Sequence, residues 1–211
     1  MSIPRHKVFI SYYHKEDQKY KTNLINRKYF DTEKSQYISV FDDYSVREND
    51  IEDEGLSSER IRCIIRDEYI KDATVLILLC GENTKRRKHV DWEIHAAMFD
   101  TEKNPKMGIL VINLPSINQG CHVSDTSEKP LVTNHNIGWT NFSTREEYEN
   151  AYPYMPIRII DNLVKDVPIT IANWDRIAYD DNALMTLIDN AFNRREQCEY
   201  NHSRKLRKKN G

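Results

Sequence analysis

ATVLILLCGENTKRRKHVDWEIHAA, residues 73–97, decides the fold. Its first eight residues are almost wholly apolar, without the polar–apolar alternation of a half-exposed strand. Such a run fits a strand covered on both faces, which belongs at the centre of a parallel sheet. Gly81 ends it, four basic residues follow in succession (Lys85 to Lys88), and apolar residues then recur at helical spacing. Strand, turn and helix in that order form the repeating unit of an α/β layered fold.

Outward from this unit, KVFISYY (7–13), YISVFD (37–42) and MGILVINL (107–114) read as further strands, with VPITIANW (167–174) as a weaker fifth. A polar and aromatic stretch, 16–30, separates the first two. LSSERIRCIIRDEYI separates the second from the third, and its Leu56, Ile61, Ile64, Ile65 and Ile70 approximate helical spacing. The alternation predicts an open, mainly parallel sheet with helices on both faces. Residues 115–156 break into turn-rich sequence, read as an insertion after the fourth strand that decorates the edge or acts as a lid. A closing helix over 180–197 carries Leu184, Leu187, Ile188 and Ala191 on one face, with Asp180 or Asp181 suited to cap it. The basic tail 201–211 has no apolar periodicity and is expected to be solvated and frayed.

A chain of 211 residues, 39% hydrophobic and 30% charged, suffices for one core, so residues 1–200 are expected to form a single domain. The net charge of -2 provides no field that would draw the chain to nucleic acid or anionic lipid. No run reaches the roughly 20 apolar residues of a membrane span, and MSIPRHKVFISYY leads directly into a strand; a cytoplasmic protein is expected. Cys63, Cys80, Cys121 and Cys198 are scattered without zinc-ligand spacing, which favours reduced thiols in or near the core and no metal.

In an open parallel sheet, ligands bind beyond the carboxyl ends of the strands. That singles out Ser11, Tyr12, Tyr13 and His14, then Asp42 and Asp43, then Gly81 to Glu93. Neither a GxGxxG nor a GxxxxGK[ST] signature is present, which argues against dinucleotide dehydrogenases and P-loop enzymes. The acidic pair follows the second strand, whereas response-regulator receivers carry theirs after the first. At about 100° per residue, Val90, Ile94, Ala97 and Met98 form the stripe that packs on the sheet. Glu93 lies at the edge of that stripe with His89 one turn earlier on the same side. Trp92 points nearly opposite, toward a second packing surface or an interface. On geometry alone Glu93 is either an ordinary helix acid or a partly desolvated catalytic group facing the cleft.

Taken together, KVFISYYH, YISVFDD and VLILLCGENTKRRKHVDWEI resemble the first three strand motifs of Toll/interleukin-1 receptor (TIR) domains, and so a flavodoxin-like sheet. The pattern formed by Gly81, Thr84, Arg87, Val90, Glu93 and Ile94 is similar to TIR-like proteins of bacterial Thoeris anti-phage defence. The resemblance implies an NAD+ glycohydrolase or ADP-ribosyl cyclase, with NAD+ as substrate and no resident cofactor. It implies release of nicotinamide and an ADP-ribose-derived, cyclic signal that reaches a separate effector protein. Self-association and a phage-derived trigger belong to the same expectation. Glu93 takes the catalytic position; Phe9, Ser11, Tyr12, Tyr13, Asp42 and Asp43 line the pocket, joined by Gly81 and His89. His89 stands where many TIR domains have tryptophan. Arg47 and the run Lys85 to Lys88 are candidates for phosphate contact, the run being equally readable as a solvated helix-entry loop. A lone carboxylate suits the chemistry, because nicotinamide leaves as a neutral molecule and needs no proton donor. The alternative is a TIR-like interaction module without catalysis.

Overall fold

The computed structural model describes residues 3–45, 55–57, 60, 63–101, 104–136 and 138–211. Its strands are β1 (Lys7–Ser11), β2 (Lys28–Asp31), β3 (Gln36–Ser39), β4 (Asp42–Asp43), β5 (Val75–Cys80), β6 (Gly108–Asn113) and β7 (Thr170–Asn173). Its helices are α1 (His14–Ile25), α2 (Lys88–Ala97), α3 (Lys129–Val132), α4 (Arg145–Ala151), α5 (Ile157–Leu163), α6 (Trp174–Ile177) and α7 (Asp181–Arg194). Five strands form one all-parallel sheet in the order β4-β1-β5-β6-β7. VLILLC lies at its centre, buried along its whole length.

Alternate residues of β5 feed two cores. Val75, Ile77 and Leu79 pack with Leu24 of α1 and Leu184, Leu187 and Ile188 of α7. Leu76, Leu78 and Cys80 pack with Val90 and Ile94 of α2 and Ile159 and Ile160 of α5. Helices therefore cover both faces, as the alternation of elements requires. Asp180 caps α7, its Oδ1 accepting the Ala183 N–H at 2.8 Å. The four cysteines are free thiols, three buried and Cys63 half-buried. No helix among the described residues is long and apolar enough to cross a membrane.

Two expectations are corrected. YISVFD does not enter the sheet as one strand: β3 pairs antiparallel with β2 in a separate hairpin, and only Asp42–Asp43 runs beside β1. The hairpin turn explains the split. Asp31 Oδ1 accepts the N–H groups of Glu33 and Lys34 at 3.0 and 3.1 Å, Ser35 adopts φ 51°, and Phe30 meets Tyr37 edge-on at 5.3 Å. Between the second and third predicted strands the helical reading holds: Arg60, Cys63 and Ile64 are α-helical and Ile65–Tyr69 continues as a π-helical turn with Ile65 and Ile70 buried, while Leu56 is exposed and Ile61 lies outside the described residues.

The second correction concerns the tail. Residues 201–211 form a strap over α2 and α5, held mainly by main-chain atoms. Arg158 is fully buried and pairs with Asp91 through two 3.0 Å hydrogen bonds, then donates to the carbonyls of Arg204 and Lys205. Asp91 also accepts the Arg207 N–H at 2.9 Å, and Arg204 pairs with the buried Asp161. A basic composition suggested solvation, but here the cations and carbonyls meet two buried carboxylates and a buried guanidinium, which need partners once removed from water.

The segment 115–156 is anchored at the sheet edge. His122 bridges Ile171 of β7, and the wholly buried Glu128 accepts from Thr170, Asn190 and Arg194. Covering β7 in this way satisfies an edge that would otherwise present unpaired backbone groups.

Candidate active site

Strand alternation puts Phe9 and Ser11 on the same face of β1, the face that α2 covers. Ser11 is buried, and its Oγ donates to Glu93 Oε2 at 2.6 Å. Glu93 itself is half-buried, so its carboxyl is partly desolvated. Burial pushes its pKa up to about 7, with the Ser11 hydroxyl pulling the other way. No cationic side chain among the described residues pairs with it.

Glu93 reaches this position because the turn from β5 into α2 is tight. The Gly81 N–H donates to Thr84 Oγ1 at 2.9 Å, and the Thr84 N–H returns to the Gly81 carbonyl. A Cβ on Gly81 would stand 2.7 Å from Asp17 Oδ2, so only glycine lets the first turn of α1 approach this closely. Asp17 is buried there with Oδ2 unpartnered, and burial together with the neighbouring Glu16 raises its carboxyl to about 6. Sequence reasoning missed Asp17. The available signal was a carboxylate in the first turn after β1 facing a glycine after β5, which only the tertiary fold pairs.

At the rim, the Arg87 guanidinium lies 3.9 Å from the Tyr13 ring centroid. Asn83 Nδ2 donates to both Glu16 carboxylate oxygens at 3.0 and 3.2 Å, so the two strand-end turns are stitched together. The carboxyl ends of β1 and β5 and the start of α2 thus bring together a hydroxyl-bound carboxyl and an aromatic–cation pair.

A model of the family described as "Thoeris protein ThsB, TIR-like domain" matches residues 9–119, just over half of the chain and inclusive of Phe9, Ser11, Gly81 and Glu93. The chain belongs to the Thoeris ThsB TIR-like family. No curated protein and no solved structure matches it.

Not every residue expected at the pocket of this TIR-like domain gathers there. Asp42 is registered against Lys7 and Asp43 against Val8, at the start of β1. Four residues of strand, about 13 Å, separate Asp42 from the level of Ser11. Arg5 holds Asp42 at 2.8 Å, and Asp43 Oδ1 accepts the Ser45 N–H at 2.9 Å. The acidic pair is thus structural; Ser45, whose Oγ accepts the Ile10 N–H at 3.0 Å, carries the chain toward the strand end. Tyr12 faces the opposite core, where its hydroxyl bonds Gln18 and its ring stacks on His14 at 4.2 Å. Arg47 lies outside the described residues.

His89 is half-buried and meets Trp92 edge-on at 5.0 Å. Trp92 is 2% exposed, and its Nε1 donates to the Arg207 carbonyl at 2.8 Å. It is a packing residue under the strap, not an exposed interface aromatic. The basic run divides: Arg87 stays at the rim, Lys88 sits over Trp92, and Lys85 donates to the Pro153 carbonyl. Burial pushes the thiols of Cys80 and Cys121 up to about 12, which keeps them protonated and unreactive. Among the described residues no group of three or more His, Cys, Asp or Glu side chains could hold a metal.

Proposed function

We propose that this Thoeris defence protein cleaves NAD+ at the bond between nicotinamide and ribose, with Glu93 as the catalytic carboxylate. The observation that carries the reading is the 2.6 Å hydrogen bond from Ser11 to a half-buried Glu93 whose carboxyl titrates near neutrality. In this reaction the carbon–nitrogen bond breaks and its electron pair leaves with the pyridinium ring, so nicotinamide departs neutral without a proton. The ribose carbon is left with oxocarbenium character. A carboxylate held beside it stabilises that charge, more strongly in a partly desolvated cleft than in water. The positive pyridinium of the substrate also favours ionised Glu93, opposing the effect of burial.

A nucleophile then closes the cycle. Water adds and loses a proton to give ADP-ribose; a base nitrogen or hydroxyl of the same molecule gives a cyclic isomer. Glu93 can take the proton released by a hydroxyl or water nucleophile. The cyclic product is the form that suits a signal to a separate effector, and a phage-derived trigger with self-association would switch the reaction on. Arg87, stacked on Tyr13 at the rim, is the member of the basic run best placed to meet the pyrophosphate. The alternative is a non-catalytic TIR-like interaction module working through surfaces on the sheet edge and helices; Trp92 is not part of such a surface, because that ring is covered.

Glu93→Gln keeps the size and the hydrogen bond but removes the charge. It should lower nicotinamide release by at least about 100-fold with the fold intact, as read by chromatography of reactions with purified protein. Undiminished release by the folded variant rejects the assignment.

A further inference from the structure

Most of the basic run is not used at Glu93. Lys85 and Arg86 line a separate, half-open cleft of about 420 Å³ together with Arg207 of the strap and Glu149 of α4, and with the apolar Met155 and Ile160. That volume suits one small molecule. Ser11, Tyr13 and Glu93 do not line it.

Its charge is unbalanced. Three cations face one carboxylate, and Arg145 already holds that carboxylate, Glu149, at 3.3 Å. Lys85 is engaged by the Pro153 carbonyl, but the guanidinium groups of Arg86 and Arg207 have no acceptor among the described residues. Both side chains pack against the end of the strap: the point a Cβ on Gly211 would occupy is 3.2 Å from Arg207 Nη1 and 3.8 Å from the Cβ and Cγ of the Arg86 stem. Like charges lining one part-enclosed cleft repel, and a bound anion relieves that repulsion. Guanidinium forks match phosphate oxygens two at a time. The apolar lining asks for more than an inorganic ion, since it offers burial to a ring.

We propose that this cleft binds a small phosphate-bearing molecule with a planar body, the chemistry of a nucleoside monophosphate, at a site separate from Glu93. A nucleic-acid polymer fits less well, because it needs a basic track along the surface and this charge is confined to one cleft. The site also touches the strap, as Arg207 supplies both main-chain bonds to α2.

Titration calorimetry of the full chain at low salt, with AMP as probe and adenosine and inorganic phosphate as comparison arms, tests the site without requiring turnover. AMP should bind saturably and at least about tenfold more tightly than either comparison compound. Arg86→Ala and Arg207→Ala should each raise Kd at least about tenfold, about 1.4 kcal/mol, while Glu93→Gln leaves it unchanged. Arg207→Ala keeps the main-chain bonds of the strap, and circular dichroism verifies its fold. The proposal is overturned if AMP fails to bind, if the Arg86→Ala/Arg207→Ala double variant binds it as well as wild type, or if Glu93→Gln abolishes binding. Phosphate binding as tightly as AMP, or an oligonucleotide outcompeting it, overturns the assigned ligand class. Because Glu93 turnover is not measured, loss of this site and loss of the proposed catalysis are distinguishable.

Discussion

Glu93 is held between opposing influences: burial raises its pKa to about 7 and the Ser11 hydroxyl lowers it. If the ionised form stabilises the transition state, kcat/KM should rise with pH along a limb near 7. Ser11→Ala removes a hydrogen bond to the charged form, so the limb should move to higher pH in a pH–rate profile. The same group sets a stability dependence of definite sign. Between the ordinary value of 4.5 and about 7 the native state binds more protons than the unfolded chain, so stability falls as pH rises through that window. Glu93→Gln stays neutral. Its advantage over wild type should be near zero at pH 4.5 and reach roughly 1–3 kcal/mol at pH 8, measured by denaturant unfolding. Ser11 and Glu93 were legible because each sits at a position the local pattern fixes, a strand end and a helix stripe edge. Asp42 and Asp43 were misread because their placement depends on a two-residue pairing with β1, and register is a tertiary quantity. Tyr12 failed through strand alternation, which sends it to the face opposite Ser11.

The element that carries the chemistry, α2, is clamped on the side away from the sheet. Arg158 and Asp91 are both buried, and the strap supplies the remaining partners. Arg158→Met leaves Asp91 buried without its ion partner and should cost about 3–5 kcal/mol of stability. The double change with Asp91→Leu should recover much of that loss, in a double-mutant cycle by urea unfolding. Removing residues 202–211 should expose Trp92 and shift its fluorescence to longer wavelength in a Trp139→Phe/Trp174→Phe background; an unchanged spectrum would mean the strap does not cover it in solution. α2 and α7 were readable from apolar spacing and a capping aspartate. The strap was not, because its hold on α2 and α5 rests on carbonyls and N–H groups of Arg204, Lys205 and Arg207, which every sequence carries.

For the molecule as a whole, the alternation of elements around VLILLC specified the five-stranded parallel sheet and its two helical layers. The segment 115–156 illustrates what alternation cannot encode: Glu128 was one acid among many until the fold buried it between Thr170 and Arg194. Within this architecture the Thoeris ThsB TIR-like domain places the Glu93 carboxyl against Ser11 between β1 and α2, and the proposed signalling role depends on it. Mass spectrometry of nucleotides from phage-infected cells expressing either the wild-type chain or Glu93→Gln tests that dependence most directly. Wild type should yield nicotinamide with an ADP-ribose isomer, and the folded Glu93→Gln chain neither. Equal product from both chains, or none from wild type under infection, would contradict it.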